Sequence, residues 1–321
     1  MAVKIRMRGA ELARVRFAIS PVYETVMALA VLGRPGVHAV HLPWARWARP
    51  RLAGVPGLPL LSALTGHPTL KPAFLIPPPD SRMPDLETEL KRIRSTPAER
   101  ARQHVSSLAG AASRSEIREF EADPRAALPA VVETLALVYR RIVEPHWARM
   151  VRVLEADIAR RAAILSEGGM ERLFTGLHDE VLWSDGELVV HPNRTPDTVV
   201  NLGGHGVALC PSVFCWPGVA VSTRPVATGT LRYPARGVAT LWEATEPAPD
   251  ALAGLIGRSR ATILTRLATP ATTGELAAEL GVTAGAISQH LGVLRDAGLV
   301  ATHREGRVAL HLRTDRAAAL F

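Results

Sequence analysis

Two groups of residues in this 321-residue chain have types and spacings that could do chemistry. His205, Cys210 and Cys215 form H-x4-C-x4-C, three donors of the kind a soft metal ion accepts. The spacing is not that of a zinc knuckle, and the alternation in VALCPSVFCW points to buried strand thiols. Core packing is therefore favoured over a metal or redox role, and no cofactor is expected. His38 and His41 could also share a metal, but beside Trp44 and Trp47 they read as a polar edge. The second group is Thr283, Ala284, Gly285, Ser288, Gln289 and His290, followed by Arg304 and Arg307. Gln289 and Ser288 carry the donor and acceptor atoms needed to read base edges, each good bidentate contact discriminating by about 1–3 kcal/mol. Arg304 and Arg307 suit phosphates or a minor groove, and Thr283 and His290 suit the backbone. GGHG at 203–206 has neither the phosphate-loop ending nor a dinucleotide fingerprint. The nucleophile-elbow and H-E-x-x-H motifs are absent, so no enzyme is expected.

The elements that would position the second group run from Ala251 to Arg313. A helix is expected over about 251–267, with Leu252, Leu255, Ile256, Ile263, Leu264 and Leu267 inward. Thr273 is expected to cap a second helix, GELAAEL, and Gly281 to make the turn, since glycine most easily takes a left-handed conformation. Thr283 caps a third helix over 283–297, whose Ile287, Leu291 and Leu294 form a buried stripe at i, i+4, i+7. Gly298 closes it, and a wing follows over 299–313, turning at Glu305-Gly306. Helix, tight turn, helix and hairpin in that order make a winged helix-turn-helix, whose reading helix enters the major groove of double-stranded DNA.

SQHLGVLRDAGLV, preceded by TTGELAAELGVTAGAI and followed by a wing, closely resembles the ArsR/SmtB family of bacterial repressors over roughly residues 250–314. The resemblance implies a homodimer on a pseudo-palindromic operator, released when an effector binds. GELAAEL lacks the cysteines of the arsenic- and cadmium-sensing members. The short ending TDRAAALF lacks the final helix on which zinc-sensing members carry ligands. No metal site is therefore carried over. ELARVRFAISPVYETVMAL, CPSVFCWPG and LRYPARGVATLWE are similar to a domain of unassigned role in large ArsR-like regulators.

Residues 1–249 read as a sensor or dimerisation domain, helical to about 178 and β-rich over 180–240. VKIRM and RVRFAIS suggest strands broken by Gly9. Ser20-Pro21 starts a helix to about Leu32 with Glu24 in its first turn. One helix is expected within 36–82, around HAVHLPWARWARPRL, and a helical stretch over 84–163 that Pro145 kinks or interrupts before it resumes. Asp-Gly in VLWSDGELVVH signals a hairpin. The basic run Arg140, Arg141, Arg149, Arg152, Arg160, Arg161 is read as a solvated face. Glu246–Asp250 marks the boundary to a second domain, 250–321.

The net charge is +8, which suits a polyanionic partner. Only +2 of it falls within Asp250–Phe321, which holds eight Arg and six acidic residues. Two cysteines argue against a disulfide framework and fit a cytoplasmic protein. No run of about 18 apolar residues suggests a membrane span. The expected fold is α+β, a mainly helical N-terminal domain with a β-rich segment before a C-terminal winged helix-turn-helix. The expected function is a DNA-binding transcriptional repressor, with a homodimer partner and a small-molecule effector. The alternative is a small-molecule-binding protein or enzyme that carries the winged helix as an interaction module.

Overall fold

A computed structural model describes residues 2–34, 36, 38–67, 71–106, 115–191, 197–222, 229–242, 250–305, 308–318 and 320. The chain divides into two compact units, Met1–Trp242 and Glu243–Phe321. The fold is α+β, with a helical N-terminal part and a C-terminal winged helix-turn-helix. Most of the Glu246–Asp250 boundary motif lies outside the described residues.

In the first unit, β1 (Ala2–Arg6) and β2 (Arg16–Phe17) are separated by a turn of helix, α1 (Gly9–Leu12), rather than by Gly9 alone. Ser20 caps α2 (Pro21–Gly33) by accepting the Tyr23 N–H at 3.0 Å. The helix expected within 36–82 is two helices, α3 (Leu42–Ala48) and α4 (Leu58–Thr65). There follow α5 (Leu86–Arg94), α6 (Ala98–Ser106), α7 (Ser115–Ala122) and α8 (Pro124–Val138). The helical run is irregular just before Pro145 and then resumes. One π turn over Tyr139–Val143 leads directly into α9 (Glu144–Thr175), with proline in its first turn. There its missing amide costs nothing, and the wide turn before it accommodates the ring. Gly169, at φ 66°, breaks the regularity of α9.

Asp185-Gly186, both at positive φ (51° and 75°), turn the hairpin of β3 (Val181–Ser184) and β4 (Glu187–Val190), as a two-residue primed turn requires. With β5 (Asp197–Asn201) they form a sheet in the order β3-β4-β1-β5. A second sheet, β2-β6-β8-β7, uses β6 (Val207–Ser212), β7 (Ala220–Ser222) and β8 (Gly229–Pro234). Every residue of β6 is buried, which explains its near-continuous apolar run. Gly203 and Gly204, both left-handed, connect β5 to β6, and the Gly204 N–H donates to Glu11 at 2.7 Å. One apolar core gathers around α2, α4 and α8, another between the sheets and the end of α9.

In the second unit, the single helix expected over 251–267 is two, α10 (Asp250–Ile256) and α11 (Arg258–Arg266). Gly257 between them has φ 85° and ψ 145°, incompatible with a helix. Leu255, expected inward, is consequently 77% exposed. After β9 (Ala271–Thr272) come α12 (Thr273–Leu280), α13 (Ala284–Asp296), β10 (Val300–Glu305), β11 (Val308–Arg313) and α14 (Asp315–Ala318). Ile263, Leu264, Leu276, Ile287, Leu291 and Leu294 share one core. Among the described residues, no helix is long and apolar enough to cross a membrane.

Candidate nucleic-acid interface

The reading helix is placed by α12 and the turn after it. A capping box opens α12: Thr272 Oγ1 accepts the Glu275 N–H at 3.2 Å, and the Glu275 carboxylate accepts the Thr272 N–H at 2.7 Å. The cap is thus Thr272 rather than Thr273, and T-x-x-E in the sequence was the signal for it. Thr273 has another partner: its hydroxyl lies 3.0 Å from His311 Nε2, while Nδ1 of the same ring meets Thr302 Oγ1 at 2.9 Å. Burial, with the Arg295 charge, lowers the His311 pKa. A neutral ring has one donor and one acceptor nitrogen, enough for both hydroxyls. His311 thereby joins both strands of the wing to the start of α12. An Arg266–Glu279 ion pair ties α11 to α12.

Gly281, at φ 66° and ψ 31°, ends α12, and the Val282 N–H returns to the Ala277 carbonyl. Thr283 then caps α13, its Oγ1 accepting the Ala286 N–H at 3.2 Å. Ile287, Leu291 and Leu294 are at most 2% exposed, as the spacing predicts. The opposite side exposes Thr283, Ala284, Gly285, Ser288 and Gln289, with His290 half-buried. The Thr283 hydroxyl accepts in the cap, leaving its O–H free to donate outward. Gly298, at φ 70°, closes the helix, and the Leu299 N–H reaches the Leu294 carbonyl at 2.8 Å in a Schellman arrangement. β10 and β11 pair as far as Glu305 with Val308, so Glu305 belongs to the strand. The Arg304 side chain, Gly306 and Arg307 lie outside the described residues. Arg295, exposed on the last turn of α13, is a cation that sequence reasoning passed over.

The other candidates are placed differently. His205 is exposed, whereas Cys210 and Cys215 are buried free thiols. Burial pushes Cys210 up to about 12 and Cys215 to about 11, so both are protonated thiols at neutral pH. No cluster of three or more His, Cys, Asp or Glu suited to a metal occurs among the described residues. His41 is not part of a polar edge. It is fully buried, accepts from Trp242 Nε1 at 2.9 Å, and lies 5.0 Å from the Phe214 ring. Burial and neighbouring His38 lower it to about 4. The basic run is not uniformly solvated either. Arg152 and Arg160 are exposed, but Arg161 is 1% exposed and paired with buried Asp157 at 3.6 Å. It also donates to the Gly176 and Leu177 carbonyls.

The second unit is therefore a winged helix-turn-helix with a polar, solvent-facing start to its reading helix. A helix-turn-helix domain family matches residues 257–303, from the break before α11 into the wing. A family of unknown function (DUF5937) matches residues 82–239. Curated proteins and solved structures give no match. A helix-turn-helix domain points to DNA-binding transcription regulation.

Proposed function

We propose that the protein is a homodimeric transcriptional repressor of the ArsR-like type, without that family's usual metal sites. The observation that carries this reading is the exposed side of α13, opposite its buried Ile287–Leu291–Leu294 stripe. In this reading Gln289 and Ser288 take base edges, and Ala284 and Gly285 allow close approach. Thr283 and His290 face the DNA backbone, and Arg304 and Arg307 hold the flanking DNA from the wing. Two heads in a dimer would engage half-sites about 34–36 Å apart. Footprinting of the full chain on the DNA beside its own gene, at moderate salt, tests this. The expected result is sequence-dependent protection in two half-sites. Absence of protection, or binding indifferent to sequence, would refute it. A cavity in the first unit favours a second role, small-molecule binding, which is compatible with the first.

A further inference from the structure

A cavity of about 620 Å³ lies in the first unit, lined by α2, the residues that follow α4, and the stretch from Cys215 through β7. That volume falls within the range of small-molecule sites. Its apolar lining includes Met27, Ala30, Val219, Val221 and Trp216, the last 42% exposed. Its polar lining is dominated by bases: Arg34, His38, His67 and Lys71.

These bases crowd one another. Burial and the Arg34 charge hold Lys71 down to about 8. Burial, helped by Arg34 and Lys71, keeps His38 below its usual value although it donates to the Trp216 carbonyl at 2.8 Å. Lys71 Nζ donates to the His67 carbonyl at 2.6 Å, an acceptor that carries no full charge. At pH 7 Arg34 and Lys71 are therefore cationic and His38 is neutral. The carboxylate in the lining, Glu180, is engaged by His191 Nδ1 at 3.2 Å and the Val219 N–H at 3.4 Å. Arg34 and Lys71 are thus two cations in the wall of the cavity, while Glu180 lies against His191, a further base of the lining. Bringing like charges together in a partly desolvated wall is costly unless an anion joins them.

We propose that this cavity binds an amphipathic organic monoanion, its carboxylate on Arg34 and Lys71 and its apolar body along Met27, Ala30 and Val221, and that this acid is the effector. The effector half rests on the regulator reading; the binding half does not. Such an acid changes operator affinity only by its differential affinity for the two states of the protein.

The test uses the full chain and a set of acids: benzoate, phenylacetate, 4-phenylbutanoate and octanoate. Each is titrated by calorimetry beside its primary amide, with Trp216 fluorescence as a second readout and Trp216→Phe as its control. At least one acid should bind saturably and about tenfold more tightly than its amide, a difference of about 1.4 kcal/mol. Arg34→Gln and Lys71→Met should each remove that preference and leave amide binding unchanged. Arg34 is exposed, so its variant keeps the test valid if the Lys71 variant unfolds. Equal affinity for acids and amides, or no acid bound up to about 10 mM, overturns the site. Operator binding with no acid binding would leave the regulator standing and this site refuted. Acid binding without any change in operator affinity would refute the effector half alone.

Discussion

Glu24 reads as an ordinary acidic residue in the first turn of a helix, yet it is 1% exposed and accepts the Val213 N–H at 3.1 and 3.3 Å. Burial raises its pKa from 4.5 to about 7, against the opposing effect of the Val213 N–H. Between those values the native state holds a proton that the unfolded chain has lost. Stability therefore falls as pH rises from 4.5 through 7 and levels off above. At about 1.4 kcal/mol per pH unit, the full loss is about 3 kcal/mol. Glu24→Gln keeps an oxygen for Val213 and removes the titration. The variant should gain about 3 kcal/mol relative to the parent protein between pH 4.5 and pH 8. His41, held near 4, slopes the opposite way, since a depressed histidine loses stability as pH drops below its unfolded value. That contribution is common to both proteins and cancels in the difference. Urea unfolding read by tryptophan fluorescence is the assay. All six tryptophans lie within residues 1–242, so the signal reports the first unit alone. A stability difference that stays constant with pH, within about 0.5 kcal/mol, would refute the reasoning.

Asp157→Ala should destabilise the same unit by about 3–5 kcal/mol, because it leaves the Arg161 guanidinium buried without its carboxylate; tryptophan-detected unfolding measures this. Leu291→Ala, at a 2%-exposed position, should cost the second unit about 2–5 kcal/mol. Far-ultraviolet circular dichroism would follow that unit, which contains no tryptophan. Thr272→Ala removes the capping box and should cost about 1 kcal/mol there. Gln289→Ala should reduce discrimination between operator and scrambled DNA by about 1–3 kcal/mol while leaving the salt slope unchanged. A steeper loss on both DNAs alike would assign Gln289 to phosphate rather than base.

Much of the second unit was legible because its signals are local. The Ile287–Leu291–Leu294 spacing, the Thr283 cap and the turn at Gly281 each act within a few residues, and the structure repeats them. The Asp-Gly hairpin and the Ser20 cap of the first unit were readable for the same reason. The misreadings differ in cause. Gly257 could have been tolerated inside a helix at about 1 kcal/mol, and packing decided otherwise. Thr272 and Thr273 are both good caps; the local T-x-x-E signature already favoured Thr272, while His311, 38 residues away, takes the Thr273 hydroxyl.

What the sequence determined by itself was the order of helix, turn, helix and wing in the second unit and the buried stripe of α13, since these depend on neighbours three or four residues apart. What only the tertiary structure decided was which charged groups lost their water. Arg161, Glu24 and His41 look like surface residues in the chain and are buried in the fold, and Arg34 meets Lys71 across 37 positions. Desolvation and charge crowding depend on three-dimensional proximity, and no local pattern of residues encodes them.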